Sequence, residues 1–548
     1  MHRVTPGRPA VAVLVLVAVV ISSCDPSPSP APTGGVVAPS SSPSSATSPG
    51  PSTGPAVSPT PPVAIPASFP LAVVTGLRNI KAVISLDDLA RLAADENLVL
   101  PCGIRVTAPQ LPSTTGCTPA DRIADAVQND PERIGLLPPG LVQPATKVLP
   151  IAGDGPFGLF GPDLFGGPAA RARPYPITAT ATGDPALDPA WLLYDAGQVW
   201  NLNETGSLCA DRGGAKQAVT LGKGWDWVFD GGTAKYNGGP IPNPNPPPGI
   251  DRHPIVRPVE TGNDGATGKL LSTSDVTLGN LKCPVLPTKD WHPANQAQGL
   301  SVPEDVLTRW SKFLGIDAVY LPADHQSDRG VSGIKSTLTL LDKHRFPHTG
   351  LGMDLDEALE PAYLEVGGQK LAFVSWDNVP GPTHAAVGRP GVAWLTKGNV
   401  DAAVRRAKAA GASVIVCDPQ WWGPDEYVTK LTSQQRRAVG WMDAAGCSQI
   451  LAGGLHVSGG LYLDSTADGN VRAINTGPGN FQYGQDFWQD TQEGVVVELS
   501  FRGPTLVNLR IHPYVMILAA RAALLDPERD GHYVQQRIWK SSELDYLP

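Results

Sequence analysis

Ser413-Val414-Ile415-Val416-Cys417-Asp418-Pro419-Gln420-Trp421-Trp422-Gly423 is an apolar run of strand length that breaks, from 417 onward, into polar and aromatic residues. The pattern recurs. Val319-Tyr320-Leu321 gives way to Pro322-Ala323-Asp324-His325, and Ile450-Leu451 gives way to Ala452-Gly453-Gly454-Leu455-His456. Runs at 370–376 and 495–501 have the same length, while 303–314, 333–344, 400–410 and 433–445 between them show helical spacing. Strands alternating with amphipathic helices predict an α/β layered domain. Ligands of such sheets collect beyond the carboxyl ends of the strands, which makes those polar endings the places to look for chemistry. Thr277-Leu278-Gly279-Asn280-Leu281-Lys282 and Gly477-Pro478-Gly479-Asn480-Phe481 add two more such endings.

Outward from that core, Leu71-Ala72-Val73-Val74 reads as a short strand, and Ser85 caps a helix over Leu86-Asp87-Asp88-Leu89-Ala90-Arg91-Leu92. Glu132 to Pro138 and Lys147 to Gly153 complete a pattern of about 110 residues that resembles part of a phosphate-binding-type periplasmic protein, without a ligand-binding motif. Residues 231–258, with Pro242-Asn243-Pro244-Asn245-Pro246-Pro247-Pro248, read as a long surface insertion. From Asp25 to about Pro66 the chain is Pro, Ser, Thr, Ala and Gly, which cannot build a core. Such a tether would reach up to roughly 100 Å at about 3 Å per residue.

The chain opens with His2, Arg3 and Arg8, an apolar run over 10–21, then Ser22 and Ser23 before Cys24, the layout of a signal peptide. The run is shorter than the roughly 20 residues that cross a bilayer core. Ile21-Ser22-Ser23-Cys24 resembles the lipobox of bacterial lipoproteins, which implies lipid on Cys24 and export to the outer face of the cell membrane. At 548 residues and 41% hydrophobic content the chain can bury at least two cores. A net charge of -9 with no basic cluster excludes a nucleic-acid partner.

Seven cysteines less Cys24 leave six, an even remainder that suggests disulfides in an oxidising compartment. Sequence neighbours suggest the pairs Cys102–Cys117, Cys209–Cys283 and Cys417–Cys447. The first would close a loop of about 15 residues, for about 3 kcal/mol. Zinc is the competing use, against which stands the lack of a C-x-x-C pair.

In order and spacing, residues from about Trp191 to Tyr514 resemble the CapA family, the poly-gamma-glutamate capsule synthesis proteins, relatives of the calcineurin-like metallophosphatases. The family segments GNLE, ANNH, HWG.EY and GNF correspond to Gly279-Asn280-Leu281-Lys282, Pro322-Ala323-Asp324-His325, Trp421-Trp422-Gly423 through Glu426-Tyr427, and Gly479-Asn480-Phe481. The resemblance implies a layered αββα metallophosphatase-like domain preceded by a smaller α/β lobe. The expected order is a lipoprotein signal peptide (1–24), a tether (25–66), a periplasmic-binding-protein-like lobe (67–182), the CapA-like domain (185–515) and a helical tail (516–548).

For the site, the resemblance implies a divalent-metal centre held by Asn280, Asp324, His325 and His456, with Asp324 and His325 in catalytic roles and Asp195 and Asp418 in reserve. Against it, Gly197-Gln198 lacks the aspartate of a first Gly-Asp motif, Lys282 stands where a glutamate is expected, Trp421 replaces a histidine, and Gly453 replaces another. An ammonium about 4 Å from a divalent ion is repelled by about 8 kcal/mol at an effective dielectric near 20. Two readings of this domain stay open, beside a third in which the amino-terminal lobe is a solute receptor that feeds it. One is synthesis, export or anchoring of an envelope polymer by metal-assisted phosphoester chemistry. The other is a non-catalytic scaffold or polymer-binding protein with a degenerate site, for which Trp421, Trp422 and Trp441 offer a binding platform.

Overall fold

Alternation along the central strands explains why their sequences read as continuous apolar runs. In Gln369–Asp377, Leu371 and Phe373 face one buried layer while Ala372 and Val374 face another, and in Val414–Gln420 the same holds for Val414 and Val416 against Ile415 and Cys417. A strand covered on both faces needs apolar residues at every position. The computed structural model describes residues 65–542 except 109–110, 112–115, 129, 239–240, 243–253, 294–298, 467 and 487. The signal peptide, Cys24 and almost all of the tether lie outside the described residues.

Two sheets stack face to face. The larger runs, in spatial order, Pro258–Gly262, Gly232–Tyr236, Arg521–Leu525, Thr505–Ile517, Glu493–Arg502, Val199–Cys209, Val276–Leu281, Ala318–Tyr320 and His348–Thr349, with Asn480–Tyr483 also paired to Val199–Cys209. The other runs Ala362–Val366, Gln369–Asp377, Val414–Gln420, Gln449–Leu451, Val471–Asn475 and Leu461–Ser465. Trp200, Leu202, Leu278, Tyr320, Phe373 and Val416 fill the layer between them, each large side chain contributing about 1.5–3 kcal/mol of burial. Trp200 stacks on Phe501 with centroids 4.1 Å apart.

Helices cover the outer faces. Ala266–Ser272 and Gly330–Lys343 lie on the larger sheet through Leu270, Leu271, Ile334 and Leu338, and Lys397–Ala409 and Ser433–Ala445 lie on the other through Val400, Val404 and Met442. The result is the helix–sheet–sheet–helix α/β order expected from the sequence. Thr432 and Gln435 form a reciprocal capping box that starts the last of these helices, and Gly446 ends it in the left-handed conformation.

The smaller amino-terminal part has a four-stranded sheet, Leu98–Val99, Ile134–Leu137, Ala72–Gly76 and Thr146–Val148, with the helix Leu86–Ala94 capped by Ser85, whose Oγ accepts from Asp88 N at 3.0 Å. It belongs to the same compact unit as the layered sheets. Val148 N donates to Asn508 Oδ1 at 2.9 Å, and Arg171 pairs with Asp275 at 2.8 Å. The three expected disulfides are formed: Cys102–Cys117, Cys209–Cys283 and Cys417–Cys447, with Cα atoms 4.9, 5.8 and 5.9 Å apart.

The segment from 516, read as a helical tail, begins as strand. Leu518 and Ala519 turn the chain at positive φ, 55° and 52°, and Arg521–Leu525 returns into the larger sheet before the helix His532–Ser541. Neither turn residue is Gly or Asn, so the hairpin carries no turn signal in the sequence. The insertion read at 231–258 likewise starts as the strand Gly232–Tyr236, paired to Arg521–Leu525 and Pro258–Gly262. Residues 239–240 and 243–253 of it lie outside the described residues.

Candidate functional site

The alternation that buries Leu371, Phe373, Val414 and Val416 between the sheets continues toward the carboxyl ends of the strands, where the residues become polar. Ser375, Asp377, Asp418 and Gln420 come from one sheet, and Glu204, Asn280 and Tyr320 from the other. Just past the strand ends, Lys282 and Asp324 extend this row, and His456 reaches it from the loop after Gln449–Leu451.

Lys282 is the centre of the group. Its Nζ lies 3.2 Å from His456 Nε2, 3.6 Å from Asp324 Oδ1, 3.4 Å from the Gly454 carbonyl and 5.1 Å from the centre of the Tyr483 ring. His325 Nε2 is 3.3 Å from Asp324 Oδ2, and its Nδ1 is 2.7 Å from Asp328 Oδ2. Glu426 Oε2 comes within 3.4 Å of His456 Nε2, and the Tyr427 hydroxyl donates to Glu426. Asp324, His325 and Glu426 are partly open to solvent, whereas Lys282 and His456 are buried.

The state of His456 follows from its partners. Asn480 Nδ2 donates to the Thr491 carbonyl at 3.1 Å, so Asn480 Oδ1 must accept the 2.7 Å bond from His456 Nδ1. Nε2 is then the lone pair that receives the Lys282 ammonium. Burial, with Lys282 beside it, holds the imidazole pKa down and keeps the ring neutral. Burial pushes the Asp324 carboxyl up, but the Lys282 charge, with His325 beside it, outweighs this and holds it below the usual range. Deeper in, burial drives Glu204, Asp377 and Asp418 well above it. Asp377 Oδ2 and Asp418 Oδ2 have no hydrogen-bond partner among the described residues.

These donors do not fit a divalent-metal centre. The imidazole nitrogen such an ion would use is engaged by an ammonium, and Lys282 carries the positive charge that the surrounding carboxylates require. The space above Gly453 is also filled. A Cβ there would lie 2.0 Å from Asn280 Nδ2 and 2.2 Å from Gln420 Nε2. Among the described residues no three His, Cys, Asp or Glu side chains are placed to hold a metal ion.

Of the residues singled out by sequence, Asp324, His325 and His456 meet around Lys282 and Tyr483. Asn280 sits deeper, beside Gln420, with its Oδ1 making no hydrogen bond among the described residues. Asp418 lies in the strand interior, where its Oδ1 accepts from Gln420 at 2.8 Å. Asp195 does not join them; it is an exposed cap of the turn Ala196–Gln198. The strand entering the site is Val199–Cys209, and its Ser207 pairs in register with both Asn280 and Asn480. A Cβ at Gly206, the residue before Ser207, would lie 2.1 Å from the Gly479 carbonyl. Trp421 is no platform: it is fully buried, with Nε1 donating to the Thr476 carbonyl at 3.2 Å. Tyr483, Asp377 and Gln420 were not anticipated, although each stands at or just past the end of a strand.

Residues 260–482 match the family model described as the bacterial capsule synthesis protein PGA_cap. The chain is 26% identical over 231 residues to the PGA biosynthesis protein CapA of Bacillus subtilis (strain 168), covering 42% of this chain and 58% of that one. It is 24% identical over 249 residues to the capsule biosynthesis protein CapA of Bacillus anthracis, covering 44% and 58%. The chain thus spans a little over half the length of these relatives. Among solved structures it is similar to a 5'-nucleotidase precursor from Thermus thermophilus, with a TM-score of 0.31, 14% identity, and 62% and 58% of the two chains covered. The spacing of strand-end motifs and the match of the central residues agree: residues 260–482 are similar to the CapA family of bacterial capsule synthesis proteins.

Proposed function

We propose that this chain is a lipid-anchored envelope protein that takes part in making, exporting or attaching a capsule or other envelope polymer, and that its strand-end site works as a binding and scaffolding centre. The capsule role rests on the CapA relatives. The anchor rests on the lipobox-like Ile21-Ser22-Ser23-Cys24, and the Pro/Ser-rich stretch after it would let the folded body stand off the membrane. A scaffold is favoured over metal-assisted phosphoester chemistry by one observation: the Lys282 ammonium is bonded to His456 and paired with Asp324 at the centre of the site.

The test is made in the organism that encodes the chain. Deleting the gene lowers surface polymer, the full chain restores it, and purified protein carries no stoichiometric divalent metal. Unchanged polymer after deletion overturns the envelope role. Metal-dependent phosphodiesterase turnover that His325→Ala abolishes overturns the scaffold.

A further inference from the structure

The hairpin turn Leu518-Ala519 and the short helical segment over 213–220 carry apolar side chains that the fold leaves in water. Val219 is 49% exposed, Leu221 56% and Leu518 54%. A single exposed leucine is ordinary on a protein surface, but three large apolar side chains at one place are not. They are at one place because two contacts hold these elements together. A Cβ at Gly213 would lie 2.2 Å from the Ala519 carbonyl, so the turn sits against the start of the helical segment. Lys223 Nζ lies 3.8 Å from the centre of the Trp227 ring and the Arg521 guanidinium 5.1 Å from the same ring, so the far end of the segment meets the strand that leaves the turn.

The charge on this face has one sign. From 212 to 225 the chain holds Arg212, Lys216 and Lys223 and no carboxylate, and all three cations are exposed. Asp226, Glu260 and Asp264 of the adjoining elements are already paired, Asp226 with Arg309 at 3.0 Å and the other two with Arg521 at 2.7 Å. The backbone argues that the apolar tip is not incidental. Leu518 and Ala519 stand at φ 55° and 52°, where Gly or Asn turns a hairpin without strain, and Leu518, more than half exposed, offsets little of that strain by burial. Arg212 is likewise held at φ 48°, ψ −101°, a conformation suited to glycine. Strain that the fold does not offset points to a contact outside the chain.

We propose that this face docks on a bilayer bearing anionic lipid, with Val219, Leu221 and Leu518 entering the headgroup region and Arg212, Lys216 and Lys223 meeting its negative charge. Apolar side chains flanked by cations match that surface, whereas a soluble polyanion would use the charges and leave the apolar side chains in water. The choice of a bilayer rests on the lipid anchor proposed above, from which residues 25–64 lead to the folded body, and the polymer role does not enter. Arg212 also borders the strand-end site, since a Cβ at Gly484, next to Tyr483, would lie 3.1 Å from Arg212 Cβ. Docking thus holds that site close to the membrane surface.

The test uses the chain from Asp25, which lacks lipid and the apolar run but keeps the whole compact unit Val63–Pro548. It is expected to co-sediment with vesicles of phosphatidylcholine and phosphatidylglycerol, and at least about tenfold more weakly with phosphatidylcholine alone. Lys216→Glu with Lys223→Glu, and separately Val219→Ser with Leu221→Ser, each weaken binding to the anionic vesicles about tenfold at an unchanged melting temperature. Leu518→Asn weakens binding too while raising the melting temperature, because it relieves the turn, whereas a damaged fold would lower both. No binding to the anionic vesicles, full binding by the Val219→Ser, Leu221→Ser variant, or equally tight binding to soluble poly-L-glutamate would overturn the proposal. Such a failure leaves the anchor standing, since that is read separately from the mass of lipid on Cys24 in protein extracted from membranes.

Discussion

Lys282 Nζ lies 3.2 Å from His456 Nε2, so an amino-acid cation occupies the position from which a bound ion would address that imidazole. Asp324, 3.6 Å away on the other side, is held ionised by the same charge despite its burial. Lys282→Met removes the cation and leaves Asp324 with His325 alone. The variant should be less stable by about 2–4 kcal/mol, the range for breaking a mostly buried pair with some relief from solvent. Because the folded Asp324 pKa lies below the unfolded one, its contribution exists above about pH 4 and fades as pH falls further. Denaturant midpoints should therefore separate wild type from Lys282→Met at pH 7 and bring them closer near pH 3. A constant separation would remove Asp324 from this account.

Gly453 offers a steric version of the same test. Gly453→Ala places a Cβ against Asn280 Nδ2 and Gln420 Nε2, so both amides must move, at a cost of about 1–3 kcal/mol. Gly453→His, which restores a histidine at this position, should destabilise more and bind no stoichiometric zinc or manganese. Tight metal binding by that variant, measured by elemental analysis after dialysis, would show that a latent centre survives.

Much of this fold is legible in the chain because its central strands are buried on both faces, which turns 370–376 and 413–417 into unmistakable apolar runs. The helix over Ser433–Ala445 falls where its spacing predicts, and the cap at Ser85 forms as read. Short-range signals fail where the fold uses residues against their preference. Leu518-Ala519 makes a tight turn with no Gly, and Val199–Cys209 hides as Val-Trp-Asn-Leu-Asn-Glu-Thr-Gly-Ser-Leu-Cys because its outer face is polar where the amino-terminal part covers it. Convergence itself is not local information: Lys282 and Asp324 follow neighbouring strands of one sheet, and His456 reaches them only because the second sheet stacks on the first.

The disulfide beside the site has a measurable role. Cys209–Cys283 ties the end of Val199–Cys209 to the residue after Lys282, closing a sequence separation of 74. In the chain-entropy model its loss costs about 4 kcal/mol. Cys209→Ala with Cys283→Ala should lower the unfolding free energy by about that much. It should also raise hydrogen exchange at 280–284 above that at 414–420, since the second strand keeps its own bridge at Cys417. Equal protection in both segments would mean the bridge does not position Lys282.

Lys147 reports on the contact between the amino-terminal part and the larger sheet. Its Nζ donates to the Asn79 carbonyl, and burial drives its pKa down to about 7, with the Glu528 carboxylate pulling it up and Arg510 pushing it further down. An unfolded lysine titrates near 10.4. Below about pH 7 both states carry the proton and stability is flat with respect to this group. Between about pH 7 and 10.4 the unfolded chain keeps a proton that the folded chain has released, so unfolding free energy should rise by up to about 1.4 kcal/mol per pH unit. Lys147→Met abolishes that rise, and being free of a buried charge it should be more stable than wild type at pH 6. Denaturant unfolding from pH 6 to 10 decides the matter: the same slope in wild type and Lys147→Met would mean that the lysine is solvated in solution and that this seam is open.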